Sequence, residues 1–519
     1  MPSKVFSGAI TGLDAKIVEV EADVSSGLRS FVIVGLPDKS VDESKERINS
    51  AIKSSKFTAP KQRPFKILIN LAPADLKKEG SIYDLPITLA FLLESHQIKF
   101  KTEDKIFFGE VSLDGKLRPI KGALPFALLA KKHGLKEIFL PKANEKEASL
   151  ITTLLGKTAQ SNNEGLKIIG CESLVDVLDH LENKRDITPS DFKEQDLFSH
   201  PDYPIDISWI KGQEYAKRAL EITAAGGHNL FLFGPPGGGK TLLAKAIPSI
   251  LPKLNFQESL EVTKIYSIAG LLPEDKPLIN FRPFRSPHHI ASEVALVGGG
   301  NPLRPGEITL AHRGVLFLDE FPEFHRDILE TLRQPMEEGK ITVARAKNTF
   351  TFPCRFMLIA ASNPCPCGYL NDPTKDCNCT PSQVAMYRRK LSGPLMDRID
   401  LFIEVPAVSY EKLTSENQEN KSSEIREKIE QVREIQKERF KNETIFINAE
   451  MGIPEIKRYC QHDGKSQDLL RQYVNSGKLS ARGYHRILKV ARTIADLAQA
   501  ENIKYEHIAE ALMYRIREN

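Results

Sequence analysis

Eight residues, Gly234-Pro-Pro-Gly-Gly-Gly-Lys-Thr241, join a glycine-rich turn to a lysine and a hydroxyl. Gly234, Pro235, Pro236, Gly237, Gly238 and Gly239 can bend until backbone N–H groups line a concave anion site, and a helix beginning at Lys240, Thr241 and Leu242 adds its N-terminal dipole. In a phosphate loop the Lys240 ammonium reaches the β- and γ-phosphates and the Thr241 hydroxyl holds Mg²⁺. The chemistry expected is therefore binding and hydrolysis of ATP with Mg²⁺. An acidic pair, Asp319-Glu320, follows the apolar run Val315–Leu318. Asp319 suits Mg²⁺, directly or through water, and Glu320 suits the task of orienting or deprotonating the attacking water. Asn363 follows another apolar run, Phe356–Ala361, and stands between the two phosphate elements if the strands are parallel neighbours. It then positions the water or reads the γ-phosphate; a turn-forming Asn before Pro364 is the plainer reading. Arg398, flanked by Asp397 and Asp400, is placed to stabilise charge developing on a neighbouring subunit's γ-phosphate, or else to form a surface ion pair with one of those acids.

A second cluster has different chemistry. Cys365-Pro-Cys367 and Cys377-Asn-Cys379 are separated by nine residues. Four thiolates in so short a loop can surround one structural Zn²⁺. Only one residue separates the members of each pair, where two to four is usual, so free thiols or redox pairing are the alternatives. The segment between the pairs carries Gly, Asn, Asp and Pro and has little core of its own, which a metal would replace. His288 and His289 are adjacent on a glycine-rich stretch, and no metal site is expected there.

These residues need strands and helices to hold them. Asn229–Phe233 reads as a buried strand before the loop, and Leu242–Ile247 as a helix after it. Residues 209–405 form an α/β core with a parallel sheet, opening at Trp209, the sole tryptophan, which either packs beside an adenine base or belongs to the core. Residues 1–185 alternate strands (Lys16–Ala22, Phe31–Val34, Phe65–Asn70) with helices (Asp38–Ser54, Tyr83–Leu93) and read as a separate α/β domain. Residues 186–208 read as a linker. Lys340–Phe352 has two alternating apolar runs around Lys347-Asn348, a hairpin pattern with Arg345 and Lys347 between its strands; a solvated charged hairpin is the plain reading. Residues 406–519 read as a helical lid that begins with an amphipathic helix carrying Ile425, Ile429, Val432 and Ile435 on one face.

The 519-residue length requires more than one core. With 41% hydrophobic and 27% charged residues, the chain has the composition of a globular protein, and it contains no apolar run long enough to span a membrane. The start of the sequence lacks a positive-then-apolar leader pattern, and the clustering of four of the seven cysteines suits a reducing compartment, so a cytoplasmic location is expected. A net charge of +4 neither requires nor excludes nucleic acid.

Two stretches, Gly115–Glu147 and Lys77–Phe91, resemble the proteolytic domain of Lon proteases. A serine–lysine dyad would be needed there, but the lysine position falls on Leu124 and the serine position near Asp84, with Ser81 close by. The resemblance implies the Lon fold without its chemistry. From the phosphate loop to Arg398 the chain resembles AAA+ ATPases of the magnesium-chelatase-like branch, and nearly its whole length is similar to the YifB/ComM family. The segments that carry this are Phe281–Gly300, Pro305–Phe324, Leu332–Ala346, Asn363–Gly368 and Ser480–Leu497. That resemblance implies a cytoplasmic homo-oligomer, a hexameric ring, with Arg398 as its arginine finger, Arg482 as its sensor-2 arginine (Arg486, one turn away, being the competitor) and the 340–352 hairpin facing a central pore, where Arg345 and Lys347 are candidate contacts to DNA phosphates. It also implies action on branched or duplex DNA, as a helicase driving branch migration in recombination. The rival expectation is a chaperone-like ATPase that remodels a protein partner.

Overall fold

The computed structural model describes residues 2–158, 165–190, 203–273, 276–300, 303–344, 349–370, 372, 375–391, 393–408 and 421–515. It divides into two compact units, one built from residues 1–200, 256–280 and 300–304 and the other from 201–255, 281–299 and 305–519.

In the first unit, a four-stranded sheet runs in the order Ser3–Thr11, Asp14–Ser26, Phe65–Ala72, Ser30–Val34. The first two pairings are antiparallel and the last is parallel. The alternation read in Lys16–Ala22 has its expected result: Val18, Val20 and Ala22 are buried. Asp38 caps the helix Lys39–Ser54 by accepting the Val41 N–H at 2.8 Å. A second, parallel sheet of Lys105–Phe107, Glu137–Pro141 and Lys167–Cys171 follows. The helix Phe256–Ala269 packs into this unit as well, because Leu260 and Leu278 bury their side chains in one cluster with Leu124 and Leu150. The stretch 209–405, read as continuous from the sequence, therefore lends a segment to the other unit.

The second unit is organised by a five-stranded, wholly parallel sheet. Its order is Phe284–Arg285, Val315–Leu318, Met357–Ser362, Leu230–Phe233, Leu401–Glu404. A parallel sheet is covered on both faces, so its strands read as unbroken apolar runs, and all four residues of Val315–Leu318 are buried. The helices Glu214–Gly226, Lys240–Ile250 and Ser422–Arg439 share a core with one face. Along Ser422–Arg439 the apolar stripe holds at Ile425, Ile429 and Val432 but not at Ile435, which is exposed. Gln436 is buried in its stead, with its amide donating to the Ala225 carbonyl at 3.0 Å and accepting the Asn448 N–H. A buried amide satisfied at both ends loses little by leaving water, which explains the break in the stripe. The helices Gly464–Asn475, Ala481–Leu497 and Tyr505–Met513 complete the unit.

Candidate nucleotide-binding site

The loop after strand Leu230–Phe233 turns at Gly234, whose φ is 155° and where a Cβ would lie 2.2 Å from the Val405 carbonyl oxygen. Only glycine lets the loop pass so close to the neighbouring strand's end. Gly239 caps the helix that starts at Lys240, so the helix N-terminus opens toward the loop. Pro236, Gly237 and Leu242 are exposed, while Gly238 and Lys240 are buried. The Lys240 ammonium donates to the Gly234 carbonyl at 2.7 Å, to the Pro235 carbonyl at 2.8 Å and to Asn363 Oδ1 at 3.1 Å. Burial pulls its pKa below the usual lysine range, with Asp319 opposing. Thr241 Oγ1 donates to Asp319 Oδ2 at 2.7 Å. A hydroxyl and a carboxylate so paired suit Mg²⁺, which takes oxygen ligands directly or through water.

The sheet order explains this convergence. Strand Met357–Ser362 lies between the loop strand and the strand that ends at Asp319, so Asn363 emerges between the two phosphate elements, and the condition set on the sequence is met. Glu320 takes a left-handed φ of 50°; its carboxylate is exposed, with Oε2 3.1 Å from His289 Nδ1.

Arg398 is not among these residues. Its guanidinium is buried against Glu337, and Nη1 donates to the Pro394 carbonyl at 2.5 Å. Neither Asp397 nor Asp400 is its partner. Asp400 instead pairs with Arg486 and accepts the Asn229 N–H at 2.8 Å. Burial opposes its ionisation, but Arg486, His228 and Asn229 together hold it far below the usual carboxylate range. Arg486 is thereby committed to a buried ion pair, while Arg482 is exposed in the first turn of Ala481–Leu497.

Three family models match along the chain: "Magnesium chelatase, subunit ChlI" over residues 206–413, "Subunit ChlI of Mg-chelatase" over 20–144 and "Magnesium chelatase, subunit ChlI C-terminal" over 419–515. Competence protein ComM of Haemophilus influenzae is 41% identical over 517 residues, covering 98% of this chain and 97% of that one. An uncharacterized protein of Escherichia coli, YifB, is 42% identical over 518 residues, covering 99% and 97%. The chain belongs to the YifB/ComM family of magnesium-chelatase-like AAA+ proteins. Membership supports ATP hydrolysis with Mg²⁺, and the Thr241–Asp319 pair fits that ion. The magnesium-chelatase 38 kDa subunit of Cereibacter sphaeroides is more distant, 26% identical over 177 residues, or 31% of this chain and 53% of that one.

Other residues singled out from the sequence lie around this site or away from it. Trp209 is 64% exposed, which rules out the core reading for its side chain. Lys340–Ala344 and Thr349–Pro353 pair as antiparallel strands, but Arg345 and Lys347, between them in the sequence, lie outside the described residues. The thiols of Cys365, Cys367, Cys377 and Cys379 all lie within 4.8 Å of one another. The Tyr369 N–H draws the Cys367 thiol down to about 6, whereas Cys377, despite the Cys379 N–H, is pushed up to about 12 by desolvation and by the Cys367 and Cys365 thiols. In the first unit, Leu124 is buried and its N–H donates to Glu147 at 2.8 Å. Ser81 donates to Glu110, and Asp84 is buried against Arg47, 2.7 Å away, its pKa raised to about 6 by burial. The positions aligned with a serine–lysine dyad thus hold a leucine and an ion-paired acid.

Sequence reasoning missed His289 on Glu320, Glu337 on Arg398, and Gln213, whose amide donates to the Gly238 and Pro406 carbonyls at 3.3 and 2.7 Å. His289 was legible only as half of a histidine pair. Gln213 follows Gly212 in a left-handed turn that no periodicity announces.

No helix among the described residues is long and apolar enough to cross a membrane.

Proposed function

We propose that the chain is an ATP-driven ring motor acting on DNA in the cytoplasm, promoting branch migration in recombination or natural transformation. The observation that carries this reading is a division of labour. Lys240, Thr241, Asp319 and Asn363 converge at the ends of three adjacent parallel strands, whereas Arg398 of the same chain lies in an ion pair with Glu337. The glycine-rich loop and Lys240 bind the phosphates, Thr241 and Asp319 hold Mg²⁺, and Glu320 orients the water, with Asn363 reading the γ-phosphate. A neighbour's Arg398 then adds a second positive charge to that of Lys240, and Arg482 of the lid contacts the nucleotide. In this reading identical subunits close into a ring of six, each lending its arginine to the next. Hydrolysis moves the 340–352 hairpins along the DNA, with Arg345 and Lys347 on its phosphates. The domain of residues 1–185 serves as a partner-binding or structural element without proteolysis.

The second reading, a chaperone ATPase remodelling a protein partner, is favoured by the likeness to a magnesium-chelatase subunit. ATP turnover measured with and without branched, duplex and single-stranded DNA separates the two. The motor predicts stimulation that weakens with salt. Turnover indifferent to all three DNAs, but dependent on a second protein, would favour the chaperone.

A further inference from the structure

The cysteine cluster lies beside the glycine-rich loop, joined to it through Gly368 and Pro236. Cys365 follows Asn363 by two residues and is buried, at the end of the strand between the two phosphate elements. Its sulfur lies 3.4 Å from that of Cys367 and 3.7 Å from that of Cys377; Cys367 and Cys377 are 3.5 Å apart. The Cys367 N–H donates to Cys379 Sγ at 3.4 Å. Thiolates about 2.3 Å from a shared Zn²⁺ sit about 3.8 Å from one another in a tetrahedron, far beyond the ~2.0 Å of a disulfide. An all-sulfur set of four selects Zn²⁺ or an iron–sulfur cluster over harder cations. Cys365 is buried and the other three cysteines are half-buried, and four such ligands would leave a bound cation no vacancy for catalysis.

What surrounds the cluster gives it a task. Gly368, one residue beyond Cys367, is buried with φ of 86°. A Cβ there would lie 2.5 Å from Cγ and 2.7 Å from Cδ of Pro236, at the tip of the phosphate loop. The second thiol pair leads directly into the helix Pro381–Arg389, capped by Thr380 and Gln383. That helix returns Tyr387, whose hydroxyl is 3.5 Å from Ser362 Oγ, and Ser362 in turn bonds the Asn363 carbonyl at 2.7 Å. Strand end, cysteine loop and helix thus close a small ring around Asn363, with Pro236 against its rim. The segment between the thiol pairs has little apolar content with which to hold this shape.

The geometry points to a four-cysteine Zn²⁺ that braces the phosphate loop, so that metal occupancy sets the placement of Pro236 and Asn363 and through them nucleotide binding and turnover. This rests on the ATPase reading. Cys365, Cys367, Cys377 and Cys379 hold the metal, and Gly368 is a positioning residue.

The test is metal content of the purified full chain by mass spectrometry, beside binding of a fluorescent ATP analogue and ATP turnover. One zinc per chain is expected in the wild type. The double variant Cys377→Ser/Cys379→Ser should lose it, and with it about tenfold or more in nucleotide affinity. Gly368→Ala should keep the zinc yet lose about 10- to 100-fold in turnover, because its Cβ displaces Pro236. That variant tests the brace even if the cysteine variant fails to fold. Lys240→Ala should keep the zinc while losing turnover. A wild type that binds nucleotide but holds no zinc, or that shows the visible absorbance of an iron–sulfur cluster, overturns the metal assignment alone. Zinc loss or Gly368→Ala with unchanged affinity and turnover overturns the brace. A zinc-loaded wild type that binds no nucleotide overturns the ATPase reading, and the brace with it.

Discussion

Glu320 and His289 are joined across the site: the carboxylate Oε2 lies 3.1 Å from the imidazole Nδ1. The pair engages the acid that follows Asp319, an exposed carboxylate on a left-handed backbone of φ 50°. A restrained base turns over slowly until the restraint is released. His289→Ala should therefore raise ATP turnover in the absence of DNA about fivefold, the worth of ~1 kcal/mol for one partly exposed ion pair, and shrink any stimulation by DNA. Basal turnover that falls in this variant would show the histidine to be aligning the base instead.

Trp209 offers a direct view of nucleotide binding. It is the only tryptophan, 64% exposed, and it precedes the helix whose first turn Gln213 ties to the phosphate loop. Mg²⁺–ATP should shift or quench its emission in the wild type. In Lys240→Ala, which removes the ammonium bonded to Gly234, Pro235 and Asn363, turnover should drop at least about 1,000-fold, and retained hydrolysis would refute the assignment of the loop.

Arg398→Ala should leave nucleotide affinity within about twofold of wild type and lower turnover about 1,000-fold in the assembled protein, the scale set by arginine fingers elsewhere. Mixing Arg398→Ala with Glu320→Gln subunits should restore part of the activity, since each supplies what the other lacks. Mixed assemblies as inactive as either parent would argue that the arginine acts only within its own chain, through Glu337.

Asp400 links the Arg486 guanidinium to the strand Leu401–Glu404. Its folded-state pKa is depressed, so its contribution to stability is complete above the ordinary carboxylate pKa of about 3.9 and is lost as pH falls below it. Asp400→Asn leaves Arg486 and a buried amide poorly matched and should cost about 3–5 kcal/mol at pH 7. Amide exchange in Leu401–Glu404 reads this, and the gap between variant and wild type should narrow below about pH 4. A gap independent of pH would mean that the charge is not what stabilises.

Alanine at both Arg345 and Lys347 should weaken binding to duplex DNA and lower the slope of log affinity against log salt by about 2, one for each phosphate contact removed. Unchanged affinity and slope would place the DNA contact elsewhere.

The parts of the site that could be read from the chain are those in which one local segment carries both the chemistry and its support. Asn229–Ile247 is strand, loop and helix in sequence, so its residues had to meet at one point whatever the rest of the fold did. Asp319 and Asn363 were legible because each ends an apolar run, and a parallel sheet buried on both faces turns such runs into strands that finish on one edge. The same logic failed at Ile435, where periodicity predicts an apolar contact and the buried position goes to Gln436, because a carbonyl on another helix was there to satisfy it.

By itself, then, the sequence determined the phosphate loop, the acid and the asparagine beside it, and the four thiols, because backbone bending, strand length and ligand type are local properties. Only the tertiary structure decided that Glu320 meets His289, that Arg398 turns to Glu337 rather than to its flanking acids, that residues 256–280 leave the nucleotide-binding unit, and that Gly368 rests on Pro236. Each of these joins segments whose separation along the chain carries no period or motif. Their partners are chosen by which surfaces the packed sheet and helices bring within a few ångströms, and that choice is made by the whole core at once.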